Sequence, residues 1–182
     1  MTIIELDGAM IALCPIEGST PGTRRERERR AIRQLADATI GADTEILHHA
    51  DGSPYLSDPA AGHISISHSH HVAALLISRE PGWGIDIEEA RQEQLSRIAA
   101  RVLDEDEISA YSHDLVQAWT LKEAAFKAAG LPIADLREIH LGANGTITAR
   151  GLRLSIVESR TVEAGAYRCR LSVVKASSLI TP

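Results

Sequence analysis

The sequence feature that most constrains the fold is a short alternating segment, Trp83–Glu88. In this segment Ile85 and Ile87 alternate with Asp86 and Glu88, and residues two apart lie on the same face of a β-strand. The segment therefore predicts a strand with two apolar side chains on one face and two carboxylates on the other. Alone, such an acidic pair would be an ordinary solvent-facing strand edge.

A second patterned segment, Leu115–Ala129, has the period of a helix and ends before Gly130. Its residues Trp119, Glu123 and Lys127 are spaced four apart, so they form one stripe along the helix. Together with the strand, this stripe can bring three carboxylates and one ammonium to a single spot. Carboxylate oxygens suit a hard divalent cation, and a lysine suits a phosphate. The two segments predict a magnesium-dependent enzyme that acts on a phosphate-bearing substrate.

The composition is that of an ordinary globular protein. The chain has 182 residues, 44% of them hydrophobic, which is enough for one sizeable core or two small halves packed together. The net charge of -6 argues against nonspecific nucleic-acid binding. Cys14 and Cys169 fit neither a disulfide framework nor a metal-ligand spacing. With no evident signal peptide or membrane span, we expect a cytoplasmic protein with no nucleic-acid or membrane partner.

The other predicted elements are short strands and further helices. Apolar residues at helical spacing predict a helix over Arg24–Ile40, and a shorter helix covers Glu93–Leu103. The acidic run Asp104–Glu107 is predicted to begin another helix, because acidic side chains favour a helix N-terminus. The predicted strands are Ile3–Leu6, Met10–Cys14, Glu45–His49, His63–Ser69, Val72–Ser78, Ile139–Leu141, Thr146–Ala149, Leu152–Val157 and Tyr167–Val174.

The two halves of the chain repeat one order of elements. Residues 1–81 and 82–182 each contain a strand, a helical region and then several strands. We therefore expect an α+β fold of two similar α/β lobes, forming a pseudo-dimer within one chain. The cleft between the lobes is the natural place for an active site.

The first predicted helix carries a run of arginines, interrupted by Glu26 and Glu28. Three interpretations stay open: a solvated face with local ion pairs, a phosphate clamp or dock for an acidic partner, and a nucleic-acid patch. The acidic total and the scarcity of aromatic residues weaken the third. The arginines are Arg24, Arg25, Arg27, Arg29, Arg30 and Arg33.

Four histidines lie within nine residues, at His63, His68, His70 and His71. They could indicate a transition metal, but their spacing matches no helical zinc motif and no cysteine joins them. We expect one of them to have a specific function and the others to lie at the surface. The strict alternation of this segment places one set of side chains on a single face, namely His63, Ser65, Ser67 and Ser69.

Three blocks of the sequence together resemble the 4'-phosphopantetheinyl transferase superfamily. Ile64–Ser69 resembles its N-[IV]-S-H-[ST] block, Gly84–Glu88 its G-[IV]-D-[IV]-E block and Trp119–Lys127 its W-x-x-K-E-x-x-x-K block. Their order and spacing are typical of the family. The full stretch before the first block resembles the pseudo-dimeric Sfp-type branch rather than the shorter trimeric holo-carrier-protein synthases. The resemblance implies the 4'-phosphopantetheinyl transferase fold.

The resemblance also implies a reaction. Such enzymes move the phosphopantetheine arm of coenzyme A onto a serine hydroxyl of an acyl or peptidyl carrier protein and release 3',5'-ADP. Asp86, Glu88 and Glu123 would hold Mg²⁺ against the pyrophosphate. Glu123, directly or through a metal-bound water, would be the general base on the carrier serine.

The resemblance assigns further residues to coenzyme A. Lys127 would contact phosphate oxygens, and Asp86 would bind the substrate pyrophosphate together with the cation. Ser67 and His68 would meet the coenzyme A phosphates, with His68 on the 3'-phosphate. His68 therefore joins Glu123 and Lys127 in the predicted catalytic set.

Three other positions show how closely the chain follows the family pattern. Arg27 lies where similar proteins place an arginine against coenzyme A, although Arg25 or Arg33 could serve instead. Ser53 replaces the lysine of a frequent Gly-Lys-Pro turn, so one contact to the 3'-phosphate is missing. Glu107 matches an acidic position after the R-x-[FL] segment, and we expect its role to be structural or peripheral.

Two other functions stay open. A non-catalytic module that binds coenzyme A or a carrier protein would share this fold, and Ser53 is the one feature in its favour. A metal-dependent phosphohydrolase would use the same carboxylates with water as nucleophile, but no second metal cluster supports it. We expect a monomer that uses Mg²⁺ as cofactor and coenzyme A as substrate.

Overall fold

A computed structural model describes residues 1–19, 21–89, 101–130, 135–142 and 144–179, with side chains as far as residue 177. Within these residues the chain is an α+β protein, as predicted. None of the described helices is both long and apolar enough to cross a membrane. Cys14 and Cys169 are free thiols.

The first six strands are β1 (Thr2–Leu6), β2 (Ala9–Pro15), β3 (Ile46–His48), β4 (Pro54–Leu56), β5 (His63–His68) and β6 (Val72–Ser78). Four of them form an antiparallel N-terminal sheet in the order β1-β2-β6-β5. The remaining two, β3 and β4, pair as a separate hairpin, and β4 contacts β5. The hairpin thus extends the N-terminal half beyond the edge formed by β5.

The next five strands are β7 (Trp83–Glu89), β8 (Ile139–Leu141), β9 (Thr146–Ala149), β10 (Leu152–Ala164) and β11 (Tyr167–Leu179). They form the C-terminal sheet, antiparallel throughout, in the order β7-β11-β10-β9-β8. The pairing in the two halves is alike. An early strand pairs with the last strand of its half (β2 with β6, β7 with β11), and that last strand pairs with the one before it.

Three α-helices can be given bounds: α1 (Arg24–Thr39), α2 (Glu105–Ala110) and α3 (Leu115–Ala129). A capping box between Thr23 and Glu26 begins α1, which packs against β2 and β6. The side chain of Asp114 caps the start of α3, which packs against β7 and β11. Each large sheet therefore carries one long helix.

The two sheets pack face to face, with a helix outside each. Ile11 and Leu76 of the N-terminal sheet share one apolar core with Ile85, Ile87 and Leu171 of the C-terminal sheet. A second core joins α1 to the outer face of the N-terminal sheet, and a third joins α3 to the C-terminal sheet. Because Ile85 and Ile87 face the other sheet, the alternate residues of β7 face α3.

Most predicted elements are confirmed, and α3 has the predicted bounds. The strands β10 and β11 run further than predicted, as a ribbon with a bulge between Ile156 and Glu158. The polar residues of β10 beyond this bulge, and those of β11 from Lys175 on, which pair with β10 before the bulge, hid the strand ends from the hydrophobic pattern. Pro54, predicted to lie in a turn, is the first residue of β4, a position where proline removes no ladder hydrogen bond.

Two helices were predicted in succession here, one over Glu93–Leu103 and one that begins at the acidic run Asp104–Glu107. The prediction over Glu93–Leu103 lies outside the described residues except at its end, where Arg101 and Val102 are helical and Leu103 is not. The acidic run that follows begins a helix as predicted. Asp104 is the N-cap of α2 and forms a capping box with Glu107.

The structural role expected for Glu107 is confirmed by its burial against Lys122. The Lys122 Nζ lies 2.7 Å from Glu107 Oε2, with side chains 1% and 2% exposed. Lys122 also donates to the Val102 carbonyl at 2.6 Å, and Glu107 accepts from the Leu141 amide at 2.8 Å. Both charges therefore have a partner inside the protein, which burial requires. The lysine of the W-x-x-K-E block ties α3 to α2 and β8.

The sheet and helix nearest the acidic residues touch backbone to backbone at Gly84. A Cβ at this position would lie 2.0 Å from the Ala124 carbonyl oxygen and 2.6 Å from the Ala128 amide nitrogen, both in α3. No side chain fits between strand and helix at such a distance. Gly84 therefore sets the separation between β7 and α3.

We expect Gly84→Ala to lower the free energy of unfolding by about 1–3 kcal/mol or more, because the added methyl group must push α3 away from β7. Urea unfolding monitored by circular dichroism measures the change. Gly18→Ala is the matched control, since no atom lies within 4 Å of its Cβ position. Equal stability of the two variants would contradict a close contact at Gly84.

Candidate active site

The free edge of β7 is closed by serine side chains from the inner face of β5. The hydroxyl of Ser65 accepts a hydrogen bond from the Ile85 amide, and that of Ser67 accepts one from the Ile87 amide, each at 3.2 Å. Both contacts join residues 20 apart in sequence, so the two strands run parallel. The predicted shared face is confirmed for three serines, Ser65, Ser67 and Ser69, which are all buried. His63, predicted on the same face, is exposed.

Asp86 lies at the centre of the site and is only 5% exposed. Its Oδ1 accepts hydrogen bonds from the Ser67 hydroxyl and from Lys127 Nζ, both at 2.7 Å. The ammonium of Lys127 also donates to the Ile85 carbonyl at 3.0 Å. Within the described part of the chain, the buried Oδ2 of Asp86 has no hydrogen-bond partner. Asp86 is therefore not part of a solvated strand edge.

Glu123 faces Asp86 from α3. Burial raises the pKa of the Glu123 carboxyl, the charge of Asp86 raises it further, and the charge of Lys127 lowers it in part. The predicted helical stripe therefore does bring Glu123 and Lys127 to Asp86. Two carboxylates share this spot with one ammonium, which leaves excess negative charge in a partly buried place.

Glu88 follows Asp86 on the same face of β7 and lies opposite Arg170 in the register with β11. The carboxylates of Glu88, Asp86 and Glu123 do not all lie within 4.8 Å of one another. In the described ranges, the one set of three ligand atoms within 4.8 Å of one another belongs to Asp104, Glu107 and His140. The charge of Glu107 is already matched by Lys122 in that set.

The donor set around Asp86 nevertheless fits a divalent cation. An orphaned, buried carboxylate oxygen costs free energy unless a donor or a cation satisfies it. The raised pKa of Glu123 marks a second carboxylate whose negative charge lacks full compensation. Asp86 and Glu123 are the two residues that fit a metal on these grounds, and oxygen ligands of this kind suit Mg²⁺.

A groove of about 750 Å³ opens between α1, β3 and β5. The helix contributes arginines at every fourth position, which places them on one face. Arg25 and Arg29 make no hydrogen bond or ion pair with the described residues, whereas Arg33 is engaged by Asp37 and by the carbonyls of Ala42 and Thr44. The basic side chains that line the groove are Arg25, Arg29, Arg33, His48 and His68.

Arg27 does not line this groove. It donates to the Gly22 carbonyl at 2.6 Å and borders a separate small cavity with Arg30. The structure instead places in the groove both residues that the sequence offered as alternatives, Arg25 and Arg33. Counting along the helix explains the difference, because position 27 lies half a turn from the face shared by 25, 29 and 33.

His68 connects the groove to the carboxylates through the alternation of β5. Its side chain is 42% exposed and lines the groove, with Nδ1 3.6 Å from Glu28 Oε1. The preceding residue, Ser67, points to the opposite face of the strand and reaches Asp86. Two neighbouring residues on one strand therefore serve the groove on one face and the acidic residues on the other.

Other singled-out residues lie apart from the groove and the acidic residues. Ser53, which the resemblance places where a lysine is frequent, donates to Asp51 through both its amide and its hydroxyl within its own turn. His71 faces Glu89, with Nδ1 3.0 Å from a carboxylate oxygen, and stacks on Tyr167. Ser53 and His71 thus have local partners.

The sequence interpretation missed several features of the site. Arg29 was named within the arginine run but not singled out, although the four-residue spacing of Arg25 and Arg33 places it on their face of the helix. His48 carries no such signal, because β3 reaches the groove only through the packing of the hairpin. The contact of Ser67 with Asp86 was also missed, since it joins strands that are not paired in a sheet.

Residues 82–171 match the family model of the 4'-phosphopantetheinyl transferase superfamily. The matched segment begins just before β7 and includes Asp86, Glu88, Glu123 and Lys127. No curated protein matches the chain.

The crowding of two carboxylates predicts how stability responds to a cation. In EDTA, Glu123 has a folded-state pKa above its ordinary value of 4.5, so the folded state binds more protons than the unfolded state between the two pKa values. Stability should therefore fall as pH rises through this window. Above this window, where Glu123 is ionised in the folded state as well, Glu123→Gln should unfold at higher urea than the wild type, because the neutral amide removes the repulsion.

Magnesium should reverse this order. At a concentration 100 times its dissociation constant, Mg²⁺ should stabilise the wild type by about 2.7 kcal/mol and Glu123→Gln by much less. Urea unfolding with MgCl₂ or EDTA measures both effects. Glu80→Gln, which removes an exposed carboxylate, is the control. Equal stabilisation of wild type and Glu123→Gln by Mg²⁺ would exclude Glu123 as a ligand.

Proposed function

Residues 82–171 belong to the 4'-phosphopantetheinyl transferase superfamily, and on that premise we propose that the protein transfers the 4'-phosphopantetheine arm of coenzyme A to a carrier protein. The acceptor is a serine hydroxyl of an acyl or peptidyl carrier protein, and 3',5'-ADP is released. The observation that carries this proposal is the convergence of Asp86, Glu123 and Lys127. The groove on the other face of β5, lined by three arginines and two histidines together with Glu28 and Glu45, supports it.

The strand pairing supports two lobes, 1–81 and 82–182, arranged as the pseudo-dimer of the Sfp-type branch. Each half pairs an early strand with its last strand and adds a neighbouring hairpin or pair of strands on the far side. The groove is formed by the first half and the acidic residues by the second. A single chain then supplies both parts of the site, so we propose that it acts as a monomer. We also propose that it acts in the cytoplasm, where the free thiols of Cys14 and Cys169 stay reduced.

Magnesium would be held by Asp86 and Glu123. Glu88, which the resemblance adds as a third ligand, would have to move towards them, because the three carboxylates do not all lie within 4.8 Å of one another. When bound, the cation would offset the negative charge of the pyrophosphate as its bridging bond breaks. Asp86 offers its orphaned Oδ2. Lys127 balances part of the carboxylate charge, and its ammonium has a third hydrogen left for a phosphate oxygen.

Glu123 is suited to remove the proton from the acceptor serine. In the protein without a cation, burial and the neighbouring Asp86 raise the pKa of Glu123, and carboxylates are among the side chains that act as general bases. The serine oxygen forms a bond to the β-phosphorus, the bond from that phosphorus to 3',5'-ADP breaks, and the proton goes to Glu123. The phosphopantetheine arm ends on the carrier serine.

The groove is suited to the phosphates at the nucleotide end of coenzyme A. Arg25 and Arg29 line it without a hydrogen bond or ion pair to the described residues, so their donors are available to a ligand. His68 and His48 add two further donors. These residues would compensate for the lysine that Ser53 replaces. Arg27 would have to leave its bond to Gly22 to join them.

The proposal predicts a direct assay result. With coenzyme A and Mg²⁺, intact-mass analysis of a panel of apo carrier proteins should show one added phosphopantetheine, lost in EDTA. Glu123→Gln should slow transfer by about 10²- to 10⁴-fold, the usual contribution of a general base, while Glu80→Gln transfers normally. Coenzyme A binding without transfer to any carrier would favour the non-catalytic module. The serine at position 53, where the family often has a lysine, is the one sequence feature in favour of that alternative.

The groove assignment predicts a difference between two faces of α1. Arg29→Glu should raise the KM for coenzyme A by about 10- to 100-fold, because a hydrogen bond to a charged group is worth about 1.5–3 kcal/mol. Arg27→Glu makes the same charge change on the other face and should alter KM little. The reverse ranking would return the contact to Arg27 and remove the groove from the proposal.

A further inference from the structure

We propose that Ser67 is a positioning residue that holds the Asp86 carboxylate in the orientation needed to bind the divalent cation. This inference rests on the proposed metal site of the preceding subsection. It assigns to Ser67 a task different from the phosphate contact that the family resemblance implies. The contact that carries it is the hydrogen bond from Ser67 Oγ to Asp86 Oδ1 at 2.7 Å.

The hydroxyl of Ser67 makes two hydrogen bonds, one as acceptor and one as donor. It accepts from the Ile87 amide at 3.2 Å, so its own hydrogen is left to donate to Asp86. The residue is 5% exposed, which limits competition from water. The Ser67 hydroxyl is therefore fixed by two groups, the backbone amide of Ile87 and the carboxylate of Asp86.

The two donors on Asp86 act on the same oxygen. Ser67 and Lys127 both bind Oδ1, each at 2.7 Å. The other oxygen, Oδ2, is buried and has no partner among the described residues. Together the two donors fix which oxygen is engaged by the protein and which is left for a cation. Hydrogen bonds that orient metal-binding carboxylates in this way commonly affect metal affinity.

The same placement argues against a direct phosphate contact for Ser67. Its side chain lies on the inner face of β5, whereas His68 lies on the groove face. A phosphate in the groove would meet His68 and the arginines of α1. To reach it, the Ser67 hydroxyl would have to give up two hydrogen bonds.

Ser65 provides a matched control within the same strand. Its hydroxyl also accepts an amide hydrogen bond at 3.2 Å, from Ile85, and it is also buried. Unlike Ser67, it makes no hydrogen bond with Asp86 within the described structure. Ser65→Ala removes the amide acceptor alone, and Ser67→Ala removes the acceptor together with the donor to Asp86. The difference between the two variants isolates the carboxylate contact.

The first test measures metal binding without coenzyme A or carrier protein. Mn²⁺, which prefers the same oxygen ligands, is titrated into each protein while the signal of the free ion is followed by electron paramagnetic resonance. Ser67→Ala should weaken binding by about 10- to 100-fold, and Ser65→Ala should bind as the wild type does. Ser67→Thr, which keeps a hydroxyl, should recover most of the loss.

The second test separates positioning from substrate contact. In transfer assays, Ser67→Ala should raise the KM for Mg²⁺ while leaving the KM for coenzyme A near the wild-type value. A raised KM for coenzyme A with unchanged Mn²⁺ binding would overturn the proposal in favour of a phosphate contact. An equal loss of Mn²⁺ affinity in Ser65→Ala would overturn it in favour of a general structural effect.

A failure of the metal site itself would look different. If the wild-type protein bound no Mn²⁺, the proposed metal ligands would be wrong, and the inference about Ser67 would be wrong with them. If the wild type bound Mn²⁺ and Ser67→Ala bound it equally well, the metal site would stand and the positioning role alone would be excluded. A cooperative urea-unfolding transition, measured for every variant in EDTA, checks that each one is folded.

Discussion

The structure depends on how the free edge of β7 is satisfied. This strand pairs with β11 on one side only, and buried amides on its other side need acceptors. Ser65 and Ser67 supply them from β5, which belongs to the other sheet. Short hydroxyl side chains can reach a backbone edge where a full strand pairing is absent. The two sheets are thereby held in register at the place where the acidic residues lie.

This junction gives β5 two separate tasks. Its groove face carries His68 beside the arginines of α1, and its inner face carries Ser67 beside Asp86. On the opposite side of β7, Gly84 lets α3 approach closely enough for Glu123 and Lys127 to act on the same carboxylate. In the proposed reaction, coenzyme A would lie across β5, with its nucleotide phosphates in the groove and its reacting bond near the carboxylates.

Much of the fold could be predicted from local pattern. The bounds of α3 and of Val72–Ser78 agree with the structure because apolar periodicity there is strong and uninterrupted. The ends of β10 and β11 could not be predicted, since their polar outer halves lack that periodicity. For the site, Asp86, Glu123 and Lys127 could be grouped from a strand period and a helix period. Arg29 was named only as one of six arginines, and His48 was not named, because the groove is formed by elements distant in sequence.

The sequence alone determined which residue types share a face of a strand or helix, because that depends only on the period of each element. It therefore predicted the acidic face of β7, the stripe of Glu123 and Lys127, and the serine face of β5. Only the tertiary structure decided what those faces meet. Ser67 meets Asp86 rather than a groove, and Arg27 lies outside the groove that Arg25 and Arg29 line. The physical reason is that the packing of one element against another depends on the shapes of both, and a local period contains no information about the partner.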